Sequence, residues 1–446
     1  MANRMPNQEL ERLYGETGWT LRQFAQAVNR VGTEYGTPTS YTPQTVHAWL
    51  KGHVPIEERR VLILEALARR LHRPIIHANA GFPSPALESN ARPSTVEGLV
   101  DLGRQDMDPS RRSVLGVSLF SVALTVPDWP DAVGRMEAAQ TGQVGRIGMS
   151  EVDTVIAMTE RLSELDDQFG GRHARPMSAA FLVNTVTPHL RADAPEPVRK
   201  AMLSAASDLC YLTGYMAVDE GLHGLAQQYY LKALELAAAA GDHLTYCTTL
   251  RGMSVQAVDL GHGKHAMRLA DAAAAASPQA GPRMRAFLTG QQAHAAAQIG
   301  DRASALRYLA EAESAMEKAE SREKAFGSYD PSSLNYHVSQ VRHEMGDVQG
   351  SIDAMKQADV LRHAVYRRGR VRQRATLAER QLQVGHLEAA CATWHQALDD
   401  YPLVQSGRAD QRMATMFRLI QPHAKNQSVR ELHERARTVV PASLLG

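Results

Sequence analysis

GHLEAACATWHQALDDYP, residues 385–402, decides how this chain is read. Gly385 is followed five residues later by Ala390 and twelve later by Ala397. The same spacing returns at Gly221/Ala226/Ala233, Gly261/Ala266/Ala273, Gly300/Ala305/Ala312 and Gly346/Ser351/Ala358. Twelve positions before each middle member stands another small residue: Gly214, Ser254, Ala293, Ser339 and Ala378. Between the small columns sit Tyr230, Leu309, Met355 and Trp394, with Ala270 the exception. They lie four residues after one small position and three before the next, which is one face of a helix. A unit with these requirements is a helix that ends, a turn at glycine, and a second helix packed back where small side chains let the backbones approach.

The pattern resembles the tetratricopeptide (TPR) repeat, and Ala390, Trp394, Ala397 and Pro402 follow that motif through its closing proline. The spacings of 40, 39, 46 and 39 residues exceed the usual period of about 34, so longer helices or turns are expected. Stacked pairs bury one another's faces and leave a concave surface suited to binding. Helices are expected from Ser150, which with Asp153 resembles a capping box, through 177–190 and 197–219. After Pro402, segments 408–420 and 429–439 are expected to cap the stack.

The resemblance implies that the first helix of each pair faces the groove. That places Tyr211, Tyr215, Arg251, His294, Tyr336 and Gln340 there as candidate ligand-binding residues, with Thr248, Gln298, His343, Arg372 and Glu379 also pointing into the groove. The set is polar and aromatic, as a surface that binds an extended peptide or a small molecule requires.

Composition bounds the alternatives. A chain of 446 residues implies two or three domains, and 44% hydrophobic with 22% charged residues suits a soluble helical protein. Formal net charge is +1, so any DNA contact has to come from a local patch. Cys210, Cys247 and Cys391 are scattered and odd in number, which points to buried thiols in a reducing cytoplasm. The opening MANRMPNQEL is neither a signal peptide nor an anchor. SRRSVLGVSLFSVALTVP, residues 110–127, has an apolar run too short to span a bilayer, and Val114–Val126 reads as a buried helix seating one domain on the next. His262 and His265 read as a solvated turn without further metal ligands, and no metal or cofactor is expected. No nucleophile elbow or phosphate loop occurs, and Asp166, Asp167, Asp399 and Asp400 read as surface charge, so no enzyme is expected.

Residues 1–75 pattern as a small helical domain. Leu10 and Leu13 mark one helix, and Thr20 caps a second that carries Leu21, Phe24, Ala25 and Val28. YTPQTVHAWLKGHVP follows, with Thr42 as cap, Pro43 at the first helical position and Val46, Trp49 and Leu50 inward. A further helix over 57–71 turns Val61, Leu64, Leu67, Ala68 and Leu71 inward. Thr20 to Ala25, Thr42 to Gly52 and Pro55 resemble the lambda-repressor-like (XRE) helix-turn-helix family. By that resemblance Gln44 falls on a base-reading position with Thr45 and His47 beside it, while Thr20, Arg22, Thr42 and Lys51 complete the DNA-binding set. The turn is lengthened by residues 31–41, and Pro43 offers no donor at another usual reading position. Ten Lys and Arg stand against seven Glu and no Asp in residues 1–75.

The expected fold is therefore all-α: an N-terminal lambda-repressor-like helix-turn-helix domain (1–75), a linker with a short apolar helix (76–149), and a TPR-like α-solenoid (150–446). The layout resembles XRE/TPR regulators abundant in actinobacteria and is similar to the peptide-sensing RRNPP group. It implies a cytoplasmic, homodimeric transcription regulator that binds double-stranded DNA and senses a peptide or small molecule, with no membrane partner. A protein-interaction adaptor with a vestigial helix-turn-helix domain is the alternative.

Overall fold

The computed structural model describes residues 6–34, 37–83, 94–108, 120–121, 146–276, 280–319 and 329–444. They form helices, with a single isolated bridge between Arg146 and Asp193.

Four helices open the chain: α1 (Gln8–Thr17), α2 (Leu21–Glu34), α3 (Pro43–Leu50) and α4 (Glu57–Leu71). Leu10, Leu13, Phe24, Val28, Val46, Trp49 and Leu67 make their shared core. Trp49 stands edge-on to Phe24 at 6.3 Å and to Tyr41 at 4.9 Å. Two of the helices begin on reciprocal caps. The Gln23 side chain accepts the Thr20 N–H while Gln23 N–H donates to the Thr20 hydroxyl, and Thr42 pairs with Thr45 in the same way. The long turn before α3 is tied by Asn29, whose amide donates to the Tyr41 carbonyl and whose oxygen accepts the Tyr41 N–H at 2.7 Å. In α4 the expected inward Val61 is 37% exposed, and Leu62 and Ile63 fill the core instead.

Helix α5 (Thr95–Met107) lies in a stretch read from sequence as linker. Ser94 and Glu97 form its capping box, and Val96, Leu99 and Leu102 are buried. Thr95 donates to Glu235 at 2.8 Å and the Tyr229 hydroxyl to Asp106 at 2.9 Å, which ties α5 to the repeats. Most of the apolar 114–126 segment lies outside the described residues, but Phe120 and Ser121 are not helical. Phe120 is 4% exposed and stacks on His262 with ring centres 5.1 Å apart, with His265 edge-on to it. The expected solvated turn at 262–265 is thus the seat of an aromatic ring. Ser121 exchanges two hydrogen bonds with the Gln227 amide and donates to Glu65 of α4 at 2.6 Å.

The repeats follow. Helices α6 (Met149–Phe169), α7 (Gly171–Phe181) and α8 (Thr187–Arg191) lead in, with one π-turn at Leu182–Val186. Glu151, not Asp153, serves the start of α6, accepting the Gly148 N–H at 2.7 Å. Five pairs come next: α9 (Glu196–Asp219) with α10 (His223–Ala240), α11 (His243–Asp259) with α12 (Gly263–Ala275), α13 (Pro282–Gln298) with α14 (Arg302–Glu317), α15 (Pro331–Glu344) with α16 (Val348–Leu361), and α17 (Arg367–Gln383) with α18 (Leu387–Asp400). Helices α19 (Gly407–Ile420) and α20 (Gln427–Val439) close the chain. This is an all-α, TPR-like solenoid.

Each pair turns at one of the five column glycines, all at positive φ between +76° and +85°, where a side chain is strained. The two small columns that follow are completely buried in every copy. They meet the preceding column directly: the Ser254 hydroxyl donates to the Ala266 carbonyl at 2.8 Å and the Ser339 hydroxyl to the Ser351 carbonyl at 2.6 Å. The 40-residue spacing after Gly221 comes from helix length, as α10 has 18 residues and α11 has 17, whereas the 46-residue spacing after Gly300 comes from the long connection between α14 and α15.

Gly300→Ala is expected to lose about 1 kcal/mol of stability through backbone strain alone, since no atom lies within 4 Å of the added methyl. Gly369→Ala, on α17 with the same open space but no positive φ, is expected to be neutral or stabilising. Denaturant midpoints of the two variants check this.

Candidate functional site

The concave face of the solenoid becomes a bounded cavity because the end of the array docks on its beginning. Asp219, the last residue of α9 and 2% exposed, is where they meet. One carboxylate oxygen accepts the Gly171 N–H at 3.1 Å and the other the Ser406 hydroxyl at 2.8 Å. Backbone pairing reinforces the join: Gln405 N–H donates to Phe169 and Arg172 N–H to Gln405. Gly170 and Gly171 are needed there, since a Cβ on either would lie about 2.4–2.5 Å from the backbone of Gln405 or Met216.

Charge completes the closure. Arg368 of α17 pairs with Asp166 at 2.9 Å and Asp167 at 3.0 Å and lies 3.6 Å from Asp219. Arg408 pairs with Asp259 and Arg172 with Asp410. Asp166 is 1% exposed, so the surface-charge reading of Asp166 and Asp167 is corrected. They are the acids that hold α6 to α17.

The cavity, partly open to solvent, is lined from α6, α9, α11, α13, α15 and α17, and holds about 170 Å³. Tyr211, Tyr215, Arg251, His294 and Tyr336 line it, as do Phe287, Tyr329, His337, Arg368 and Arg372. Gln340 does not. Its side chain turns to α17 and accepts a hydrogen bond from Arg380. Tyr211 packs at 5.9 Å on Tyr230 and closely over Gly252, where a Cβ would sit 2.8 Å from the ring.

One wall is a connected polar cluster. His337 has Nδ1 2.9 Å from the Tyr329 hydroxyl and Nε2 3.5 Å from Arg251 Nη2. An arginine only donates, so Nε2 accepts and the neutral ring carries its proton on Nδ1. Gly290 leaves room for this pair, since a Cβ there would lie 2.5 Å from the Tyr329 oxygen. The Arg251 guanidinium lies 3.9 Å over the Phe287 ring, and Arg372 lies 5.3 Å over Tyr336. Burial pushes the Tyr211 hydroxyl up to about 12 and holds His294 down at about 4, while His337 falls well below its ordinary value, again mainly by burial. The cavity thus offers cations, neutral imidazoles and phenols.

Of these groups the sequence missed His337, Phe287 and Tyr329, which lie off the register of the small columns. It also missed Arg368, whose role depends on the far end of the chain.

A second candidate surface lies on the N-terminal helices. Thr20, Arg22, Thr42, Gln44, His47 and Lys51 are exposed, and Thr45 is half-buried by its cap. Arg12, Arg69 and Arg73 are tied to glutamates. Among the described residues, Arg22, Lys51 and the exposed Arg30 make no ion pair; sequence reasoning did not single out Arg30.

Known proteins add little. The sequence model of the SP15 N-terminal domain matches residues 10–83. No curated protein matches the chain. Two crystal structures of the nearly identical TPR-like repeats of a proposed kinesin light chain from Podosopora anserina, one a single-site variant, align at 16% identity and TM-score 0.32. Each alignment covers 44% of this chain and 95% or 96% of the other. No helix among the described residues is long and apolar enough to cross a membrane.

Two outcomes are expected. Arg368→Gln leaves Asp166 and Asp167 without their partner and is expected to cost about 3 kcal/mol, with a larger radius of gyration by X-ray scattering. For His294, a folded-state pKa near 4 against about 6.5 unfolded means that its contribution is whole above pH 6.5 and is lost as pH falls towards 4. The stability advantage of the wild type over His294→Gln should therefore shrink between pH 7 and 4.5 in denaturant titrations. A gap that does not change with pH contradicts a buried neutral imidazole.

Proposed function

We propose that the chain is a sequence-specific DNA-binding transcription regulator, with α3 as its reading helix and the central cavity of the solenoid as the sensor of a small signal. The supporting observation for the first part is the face formed by α2 and α3. It carries Gln44 and His47 exposed, with Arg22, Arg30 and Lys51 in no ion pair among the described residues, whereas Arg12, Arg69 and Arg73 pair with glutamates and Arg59, Arg60 and Arg70 donate to backbone carbonyls. Gln44 can pair with an adenine edge, and the free cations can meet phosphates. Resemblance to XRE regulators of the TPR and RRNPP kind agrees with this assignment. Two chains associating through their arrays would set two reading helices about one helical turn of DNA apart.

The second part rests on the closed array. A ligand inside the cavity touches α9, α11, α13, α15 and α17 together, so it can favour one curvature of the stack over another by its difference in affinity for the two. The Phe120–Ser121 strap carries such a change forward, since it is bonded to Gln227 of α10 and Glu65 of α4 at once. The protein-interaction adaptor remains the competing reading, favoured by Pro43, which has no donor to offer at the start of α3.

Gln44→Ala separates the two. Fragments selected from genomic DNA by the purified protein at stated salt supply the site. The variant is expected to bind that site about ten-fold more weakly with unchanged thermal stability, because Gln44 is exposed. Failure to enrich any sequence, or an unaltered affinity, supports the adaptor.

A further inference from the structure

We infer that the solenoid cavity binds a compact anion, a carboxylate or phosphate group, seated between Arg251 and Arg372. This rests on the proposed sensing role for its regulatory meaning but not for the binding itself. The four aspartates of the lining are Asp166, Asp167, Asp219 and Asp259. The first three face Arg368, and Asp259 is held by Arg408. These acids are consumed in closing the array.

Arg251 and Arg372 are left over. Among the described residues neither pairs with a carboxylate, and Arg251 Nε is buried without a hydrogen-bond partner. Each guanidinium lies over an aromatic ring, Phe287 or Tyr336, which orients it; Arg251 also bonds Tyr211 and keeps its Nε–H available. The two converge on His337, which lies 3.5 Å from Arg251, while Tyr336 beneath Arg372 is 6.0 Å from the same imidazole. That ring is neutral and uses its accepting nitrogen on Arg251, so it adds no counter-charge. Both are partly buried, and the carboxylate near Arg372, that of Asp259, is already shared with Arg408. An anion entering here would gain charge-assisted hydrogen bonds from both arginines at once.

The size of the cavity restricts the ligand. About 170 Å³ is below the range that encloses drug-sized molecules. A small organic acid matches that volume, and so does the carboxyl-terminal residue of a peptide entering end-on. Gln373 is 3% exposed, lines the cavity and has an unpartnered Oε1, so it would accept a donor from the same ligand.

The test is calorimetric titration of the full chain without DNA, using inorganic phosphate, acetate, benzoate, neutral benzamide, and the tripeptide Ala-Ala-Phe with a free or amidated carboxyl terminus. At least one anion is expected to bind about ten-fold or more tightly than its neutral counterpart, and Arg251→Gln and Arg372→Gln are each expected to weaken it by a similar factor. Benzoate or phosphate binding identifies a free acid, and binding by the free-carboxylate peptide alone identifies a peptide terminus. Both support the site. The ligand-free Arg372→Gln protein should keep the single cooperative thermal unfolding transition of the wild type, so that its loss of anion binding reports the seat and not misfolding. Arg251→Lys, which keeps the charge and loses the fork, should bind with intermediate affinity and guards against misfolding of the glutamine variant. Equal binding of charged and neutral probes, binding untouched by both glutamine variants, or no anion bound at all would overturn the inference. An anion that binds as described but leaves DNA affinity unchanged would sustain the site and refute the sensing role.

Discussion

The Asp219 carboxylate carries the architecture. It stands at the end of α9, where a TPR pair would ordinarily expose its turn. Here it takes the amide of Gly171 from one side and the hydroxyl of Ser406 from the other. An acid so deeply buried is tolerable only when its lone pairs are filled and a cation stands close, and Arg368 supplies that cation. Without this junction the solenoid would be an open strip with a polar concave face. With it, the six inward helices form a circuit around a small interior.

The same junction divides the charges. Acids contributed by α6, α9 and α11 are spent on Arg368 and Arg408, which belong to the later part of the chain. The earlier inward arginine, Arg251, and its counterpart Arg372 then face the interior in no ion pair among the described residues, each over an aromatic ring. Closing the array and preparing an anion seat are therefore one arrangement of charges. On the outside, the Phe120 ring between His262 and His265 and the Ser121 contacts to Gln227 and Glu65 fasten the N-terminal helices to α10 and α12. A change in the stack has a short, hydrogen-bonded route to α4 of the N-terminal helices.

The repeats were legible because each turn needs a glycine at positive φ and each crossing needs small side chains. These are local demands that leave fixed spacings, and Gly385, Ala390 and Ala397 meet them as their counterparts do. The reciprocal caps at Thr20 and Thr42 were legible for the same reason. The closure was not: Asp166 and Arg368 are 202 residues apart, and an aspartate near a helix end looks the same whether it meets water or a distant arginine. Helix α5 was overlooked in a stretch of Pro, Ser and Asn, although Ser94 and Glu97 with Val96, Leu99 and Leu102 carried a cap and an apolar face. His262 and His265 looked like a wet turn because the ring that covers them arrives from residue 120. Gln340 was misassigned because one turn of helix separates a residue that faces the interior from one that braces the next repeat.

The closed circuit itself is open to direct measurement. Nitroxide labels on cysteines introduced at Glu164 on α6 and Gln411 on α19, both exposed, report the distance across the junction by pulsed electron paramagnetic resonance. The native Cys210, Cys247 and Cys391 are buried and do not compete for label. The account predicts one narrow, short distance in the wild-type background that lengthens and broadens with Arg368→Gln. A broad, long distribution in the wild-type background, unchanged by that substitution, would mean that the array is open and that the cavity does not exist as described.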